Sequence, residues 1–271
     1  MRTPPVPLRS RLHNTAEIEL WPAALLRARG NADARTLARA ETVLRRKHDG
    51  RYLAAVRADG VQALVPRLAR EPGLDAALDL LDSGPHVRAP SPLPLHRLYE
   101  RLHGLGLKAD VYAARTGLTL VAEPDWLVLA DIDRFRRPLW LLPQAARAWR
   151  AMRRSAAAGG VVLDAISGYR SHDYQLGIVA RKLARGQTLA HILTVNAAPG
   201  YSEHHAGDAL DIGTPGEPPA EESFERTAAF AWLQSHAGRF GFALSYPRDN
   251  PHGIVYEPWH WRFHRRIDGQ A

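Results

Sequence analysis

Along residues 31–46, apolar Leu37, Ala40, Val43 and Leu44 recur at helical spacing with arginines on the other face, which predicts an amphipathic helix. The same reading gives helices over 51–58, over 61–70 in spite of Pro66, and over 74–81 after Pro72-Gly73. Residues 1–82 are therefore expected to form a helical N-terminal region. The proline-rich stretch 83–94 cannot hold a helix and reads as a linker or extended strap. It opens a second segment, 83–130, expected to hold a helix over 95–105 and small β elements. Strand-like runs at 111–114 and 118–122 flank Arg115-Thr116-Gly117, a separation short enough for a hairpin, and a third strand is expected over 126–130.

From residue 131 the pattern changes. A strong helix is predicted over 141–158, with Pro143 in its first turn, Ala146, Trp149 and Met152 along one stripe, and Gly159-Gly160 as its stop. The apolar run 161–166 reads as a buried strand that delivers Ser167-Gly168-Tyr169-Arg170-Ser171 at its end. Ser171 is expected to cap a helix running to Arg185, closed by Gly186. A further turn or two reaches Val195, and another amphipathic helix is predicted over 223–239. Strands are expected around Leu210-Asp211-Ile212, over 242–246 and over 259–263. Residues 131–271 thus read as one α+β domain with a small, mainly antiparallel sheet flanked by helices.

Composition narrows the function classes. With 271 residues, 45% of them hydrophobic, the chain can bury a sizeable core. No apolar run approaches the length of a bilayer span, so no transmembrane segment is expected. The absence of cysteine removes disulfides, thiolate ligands and cysteine nucleophiles, and leaves His, Asp and Glu to hold any metal. The formal charge of +8 comes mostly from dispersed arginine, with no basic run interleaved with aromatics, so nucleic acid is not the expected partner. The first residues carry prolines where a secretory signal needs an apolar core, so a cytoplasmic location is expected, with the periplasm or cell envelope as the alternative.

The chemistry concentrates in Tyr201–Ile212, YSEHHAGDALDI, and in Glu257-Pro258-Trp259-His260. Asp211 sits in an apolar, strand-like segment, where an unpaired carboxylate is costly to bury and needs a cation or a partner. Strand alternation turns His260 away from Trp259 and Trp261, a geometry suited to a ligand projecting into a cleft. With His204 these form a set of three protein ligands, as a catalytic zinc requires. Glu257, three residues before His260, suits general-base work, and Arg170 suits a cation facing a carbonyl oxygen. Each has a plainer reading: a histidine among thirteen is more often a satisfied polar residue, and a single arginine is more often structural.

The segment Ser202–Asp211 fits S-x-H-x-x-G-x-A-x-D, and Glu257–Trp261 fits E-x-W-H-[WF]. Together with Ser167–Ser171 and Gln175, in that order along the chain, these motifs resemble the VanY-type D-alanyl-D-alanine carboxypeptidases, zinc peptidases of the hedgehog/DD-peptidase-like fold. The resemblance covers 131–266 and implies that His204, Asp211 and His260 bind Zn2+. It further implies that Glu257 is the catalytic base and acid, that Arg170 stabilises the substrate carbonyl, and that Ser202 and Gln175 hold the substrate, with Tyr169 and Trp259 shaping the pocket. His205 stands where a glutamine is more usual.

The implied activity is zinc-dependent hydrolysis of the C-terminal D-amino acid, D-Ala, from peptidoglycan stem peptides or muropeptides. Within that class L,D-carboxypeptidase, D,D-dipeptidase and endopeptidase activities stay open. Outside it stands an inert zinc-containing module that binds cell-wall peptide or protein. The sequence does not specify an oligomeric state or a role for the N-terminal region.

Overall fold

The structure is a computed structural model and describes residues 10–82, 88–95 and 97–264. The first part of the proline-rich stretch, 83–87, lies outside the described residues. The chain opens with strands β1 (Arg11–Asn14) and β2 (Ile18–Pro22), helix α1 (Asn31–Leu37), then β3 (Thr42–Arg46), β4 (Tyr52–Arg57) and β5 (Gly60–Ala63). Helices α2 (Leu74–Asp82), α3 (Leu98–Gly104) and α4 (Ala109–Thr116) follow, then β6 (Trp126–Ile132), β7 (Pro138–Leu141) and α5 (Pro143–Ala158). The remainder is β8 (Asp164–Ser167), α6 (His172–Ala184), α7 (Leu189–Val195), β9 (Ala209–Gly213), α8 (Ala228–His236), β10 (Phe242–Leu244) and β11 (His260–Phe263).

The helical N-terminal region expected from the sequence is instead mostly sheet. β1 to β5 join β6 and β7 in one antiparallel sheet of order β5-β4-β3-β2-β1-β6-β7, so the sheet runs across residues 82 and 130, where the sequence pattern marks boundaries. Two Asp-Gly turns explain the correction. Asp49-Gly50 joins β3 to β4 and Asp59-Gly60 joins β4 to β5, each with its glycine at positive φ, as tight antiparallel connections require. Leu53, Ala54 and Ala55 are buried in succession, which a one-sided helix cannot achieve and an interior strand can. Only 31–37 of the first predicted helix is helical, and it buries no residue. Residues 60–63 are strand, and the rest of the predicted 61–70 helix reduces to the 3-10 turn Leu68–Arg70.

The hairpin expected at 111–122 is also overturned. Residues 109–116 form α4, with Thr116 bonding back to the Tyr112 carbonyl and Gly117 in the left-handed conformation that ends a helix. α3 and α4 bury Leu98, Leu102 and Tyr112 against Leu193, Ala198 and Tyr201, and so support the segment that precedes the histidine motif.

The second half follows expectation more closely. A four-stranded antiparallel sheet of order β10-β11-β9-β8 packs on α5 and α8. Pro143 starts α5 where its missing N–H costs nothing, and Ala146, Trp149, Met152 and Ala156 form the buried stripe. Trp149 is fully buried, and such a side chain typically accounts for about 3–5 kcal/mol when cut to alanine. The predicted 223–239 helix is divided into a 3-10 turn (Glu222–Arg226) and α8, because the Thr227 side chain caps a fresh start by accepting from the Phe230 N–H.

Candidate active site

β9 is the strand that carries the site. It lies between β8 and β11, and all five of its residues are buried. The register sets His260 of β11 directly opposite Asp211 of β9. Leu210, Ile212 and Trp261, on the alternate positions, sink into the main core, so the apolar face of the sheet anchors the strands whose polar positions meet. His204 comes from the 3-10 turn Glu203–Ala206, which ends at Gly207 with φ of 72°. A Cβ at Gly207 would stand 2.5 Å from a Leu127 methyl, so glycine is required for this turn to seat on β6.

His204, Asp211 and His260 are thereby gathered with their donor atoms within 4.8 Å of one another. The ring contacts fix which nitrogens are available. His204 Nδ1–H donates to the Gly168 carbonyl at 2.7 Å, leaving Nε2 3.3 Å from Asp211 Oδ1. That buried Nε2 has no hydrogen-bond partner among the described residues. His260 Nε2–H donates to Glu203 at 2.9 Å, and its Nδ1 lies 3.1 Å from the same Asp211 oxygen.

Ligands at about 2.0–2.2 Å from one tetrahedral ion stand about 3.4 Å apart, close to these separations. Electrostatics agree. Burial works against charge on His260, yet its hydrogen bonds to Asp211 and Glu203 lift it to about 10. Burial would raise Asp211 too, but His204 and His260 hold it well below the usual carboxylate range. Burial, with Arg170 nearby, pushes His204 down to about 4, so it keeps a lone pair to offer. The N, O, N donor set of His204, Asp211 and His260 fits a zinc ion.

Glu257, Arg170, Gln175 and Ser202 line the same cleft as His204 and His260. Glu257 Oε2 lies 3.9 Å from His260 Nδ1, and burial, reinforced by the Asp211 charge, raises its carboxyl to about 7. Arg170 follows the end of β8. Its amide donates to the His204 carbonyl at 3.2 Å, while His204 bonds back to Gly168, so the segment that presents Arg170 and the turn that carries His204 hold each other. Its buried Nε has no partner among the described residues, and neither has Gln175 Oε1, whose amide nitrogen donates to Ala197.

Two of the predicted pocket residues lie elsewhere. Tyr169 points to the other side of the extended 167–171 segment, where its hydroxyl bonds to Glu123 and receives Asn14. Trp259 packs half-buried against the main core and Trp261 is buried within it, because the alternation that frees His260 turns both tryptophans inward. His205 is fully buried and both its nitrogens are engaged: Gly200 N–H donates to Nε2 and Nδ1–H donates to the Arg170 carbonyl. It is no ligand.

Tyr246 and Glu203 also reach His260, Tyr246 from outside the sequence motifs and Glu203 from an unspecified position within one. Tyr246 is buried with its ring 4.9 Å from that of His260. Glu203 bonds His260 and also receives Arg262 Nη1 at 3.1 Å. Burial pushes its carboxyl up, but His260 and Arg262 hold it at about 2. The available signal is Arg262, two residues beyond His260 on the same face of β11 and in need of a carboxylate. Because Glu203 fixes the tautomer and orientation of His260, Glu203→Gln is expected to weaken zinc affinity by about 10–100-fold while leaving the fold intact, as competition with a chromogenic chelator reports.

The family profile described as D-alanyl-D-alanine carboxypeptidase, VanY, matches residues 139–266. The chain is 32% identical over 148 residues to the bifunctional D-Ala-D-Ala dipeptidase and D-Ala-D-Ala carboxypeptidase VanXYC of Enterococcus gallinarum, covering 52% of this chain and 75% of that one. To the D-alanyl-D-alanine carboxypeptidase of Enterococcus faecium it is 32% identical over 128 residues, covering 46% and 38%. It spans about half the length of YodJ of Bacillus subtilis strain 168, at 35% identity. Among solved structures, a mutant of the D,D-pentapeptidase VanY from a VanB-type resistance cassette, in complex with Zn(II), is 31% identical with a TM-score of 0.39, covering 46% of this chain and 74% of that one.

Proposed function

This chain belongs to the VanY family of D-alanyl-D-alanine carboxypeptidases, and from that premise we propose that it hydrolyses the C-terminal D-amino acid from peptidoglycan stem peptides or muropeptides. The observation that carries the reading is the convergence of Glu257 and Arg170 on the cleft that holds His204, Asp211 and His260. A purely structural or binding metal site has no use for a buried glutamate poised near neutrality beside its ligands.

His204, Asp211 and His260 would hold a zinc ion, which would supply a Lewis acid able to acidify water. Glu257 accepts the proton of the attacking water, and its raised pKa lets it pass that proton to the leaving amine. Arg170 faces the carbonyl oxygen, where negative charge develops, with Nε free to donate. The buried Ser202 offers its hydroxyl to the terminal carboxylate, and Gln175, whose amide nitrogen is committed to the Ala197 carbonyl, presents Oε1 to a peptide N–H of the substrate.

Mass analysis of products from a defined D,D-pentapeptide and an L,D-tetrapeptide, with and without chelator, tests the proposal. Loss of one terminal residue, abolished by chelator and restored by zinc, is the expected result. If zinc-loaded protein leaves both peptides intact, the chain is not a carboxypeptidase of this class.

A further inference from the structure

The segment that presents Arg170 is gripped from outside the family-matched region. Glu123, which is 5% exposed, sits between the two sides of that segment. Its Oε2 accepts the Tyr169 hydroxyl, and its Oε1 accepts the His172 amide at 2.8 Å, so one carboxylate ties the residue before Arg170 and the second residue after it. The His172 ring adds a contact at 3.5 Å to Oε1 and bonds the Val121 carbonyl. It also meets His205 edge to face, with centroids 4.5 Å apart, and His205 in turn donates to the Arg170 carbonyl. Arg170 is thus held at the flanking residues, at its carbonyl and at its amide, while its guanidinium stays available to the cleft.

The charge that steadies Glu123 comes from the N-terminal sheet. Lys47, at the end of β3 and 4% exposed, places Nζ 2.6 Å from Glu123 Oε2. Asn14 at the end of β1 donates to the Tyr169 hydroxyl at 3.2 Å and to the Pro124 carbonyl at 2.9 Å. Lys47, Asn14 and Glu123 all precede residue 139, where the family match begins. A buried carboxylate taking this many donors needs its counter-charge in place, since neither ion can reach water.

We infer that the N-terminal sheet is a working part of the active site, with Lys47 and Glu123 as positioning residues that set the Arg170 guanidinium against the substrate carbonyl. The inference rests on the proposed role of Arg170. It goes beyond that role in making the extra sheet necessary for full turnover and in assigning the buried Lys47–Glu123 pair a task other than stability.

A double-mutant cycle on the full-length, zinc-loaded protein tests it. Lys47→Met and Glu123→Gln are measured alone and in an Arg170→Ala background, with zinc stoichiometry followed throughout. In the Arg170 protein each change is expected to lower kcat by about tenfold or more, since displacement of a positioned group by about 1 Å can cost about 10²-fold. KM and zinc content stay near their original values, and Lys47→Arg restores most of the loss. In the Arg170→Ala background the same changes cost less than about twofold. Equal losses in both backgrounds, or no loss in either, overturn the inference.

Hydrogen exchange gives a readout independent of catalysis, and so separates failure of this inference from failure of the proposed activity. The Arg170 amide, bonded to the His204 carbonyl, is expected to exchange faster in Lys47→Met, while β9 and β11 keep their protection. Unchanged exchange at 168–173 in a folded Lys47→Met protein also overturns it, whether or not the wild-type chain cleaves stem peptides.

Discussion

Glu257→Gln is expected to lower kcat by about 10²–10⁴-fold, the usual range for loss of a positioned general base, with zinc content and substrate KM little changed. The amide has the shape of the carboxylate but cannot accept the water proton. The substitution is mild for the fold: among the described residues the ion-pair contact of Glu257 is a long one, to His260 Nδ1 at 3.9 Å. Its backbone contacts to Tyr246 and His260 do not involve the side chain. Burial already disfavours the charged carboxylate, so the neutral amide sits there at little cost in stability. Pre-steady-state turnover of a stem peptide by the zinc-loaded variant is the measurement. Activity above about a tenth of wild type would assign the base to another residue.

Much of the site is legible in the sequence because its signals are local. Strand alternation around His260 and the cost of burying Asp211 within an apolar triplet both follow from a few adjacent residues, whereas the register that sets the two opposite each other is supplied by the fold. The α5 stripe and the Ser171 cap are local as well, and both stand in the structure. The N-terminal region is where the pattern misleads, because short apolar runs fit a helix and a buried strand about equally well and the turns between them decide. Asp49-Gly50 and Asp59-Gly60 are the deciding signals, and they outweigh the helical spacing of Leu37 to Leu44.

Tyr169 shows a different limit. The family resemblance assigns this tyrosine to the pocket, yet neighbouring residues of an extended segment face opposite ways, and only the fold brings Glu123 and Asn14 to its hydroxyl. Glu203 and Tyr246 reach His260 from elements far apart in sequence, so their part in the site depends on the β9–β11 pairing and the turn before β9. The buried Lys47–Glu123 pair, 76 residues apart, leaves no trace in sequence patterning.

Asp211→Ala is expected to abolish measurable activity and stoichiometric zinc binding together. Asp211 Oδ1 lies 3.3 Å from His204 Nε2 and 3.1 Å from His260 Nδ1, so the alanine removes the one carboxylate that both histidines share and leaves two imidazoles. Three protein ligands are the rule for a catalytic zinc, and two imidazoles alone lack the negative charge that offsets the cost of dehydrating the ion. The metal-free fold survives the change. Leu210 and Ile212 keep β9 in the core, and His260 retains Glu203 at 2.9 Å as a partner. The two proteins therefore separate in their response to metal. A ligand at 100 times its Kd stabilises the native state by about 2.7 kcal/mol, which for a chain of this size raises Tm by roughly 5–10 °C. Thermal melts with and without zinc should show that rise in the wild-type protein and none in Asp211→Ala. An undiminished zinc-dependent shift in the variant would place the bound ion away from His204 and His260.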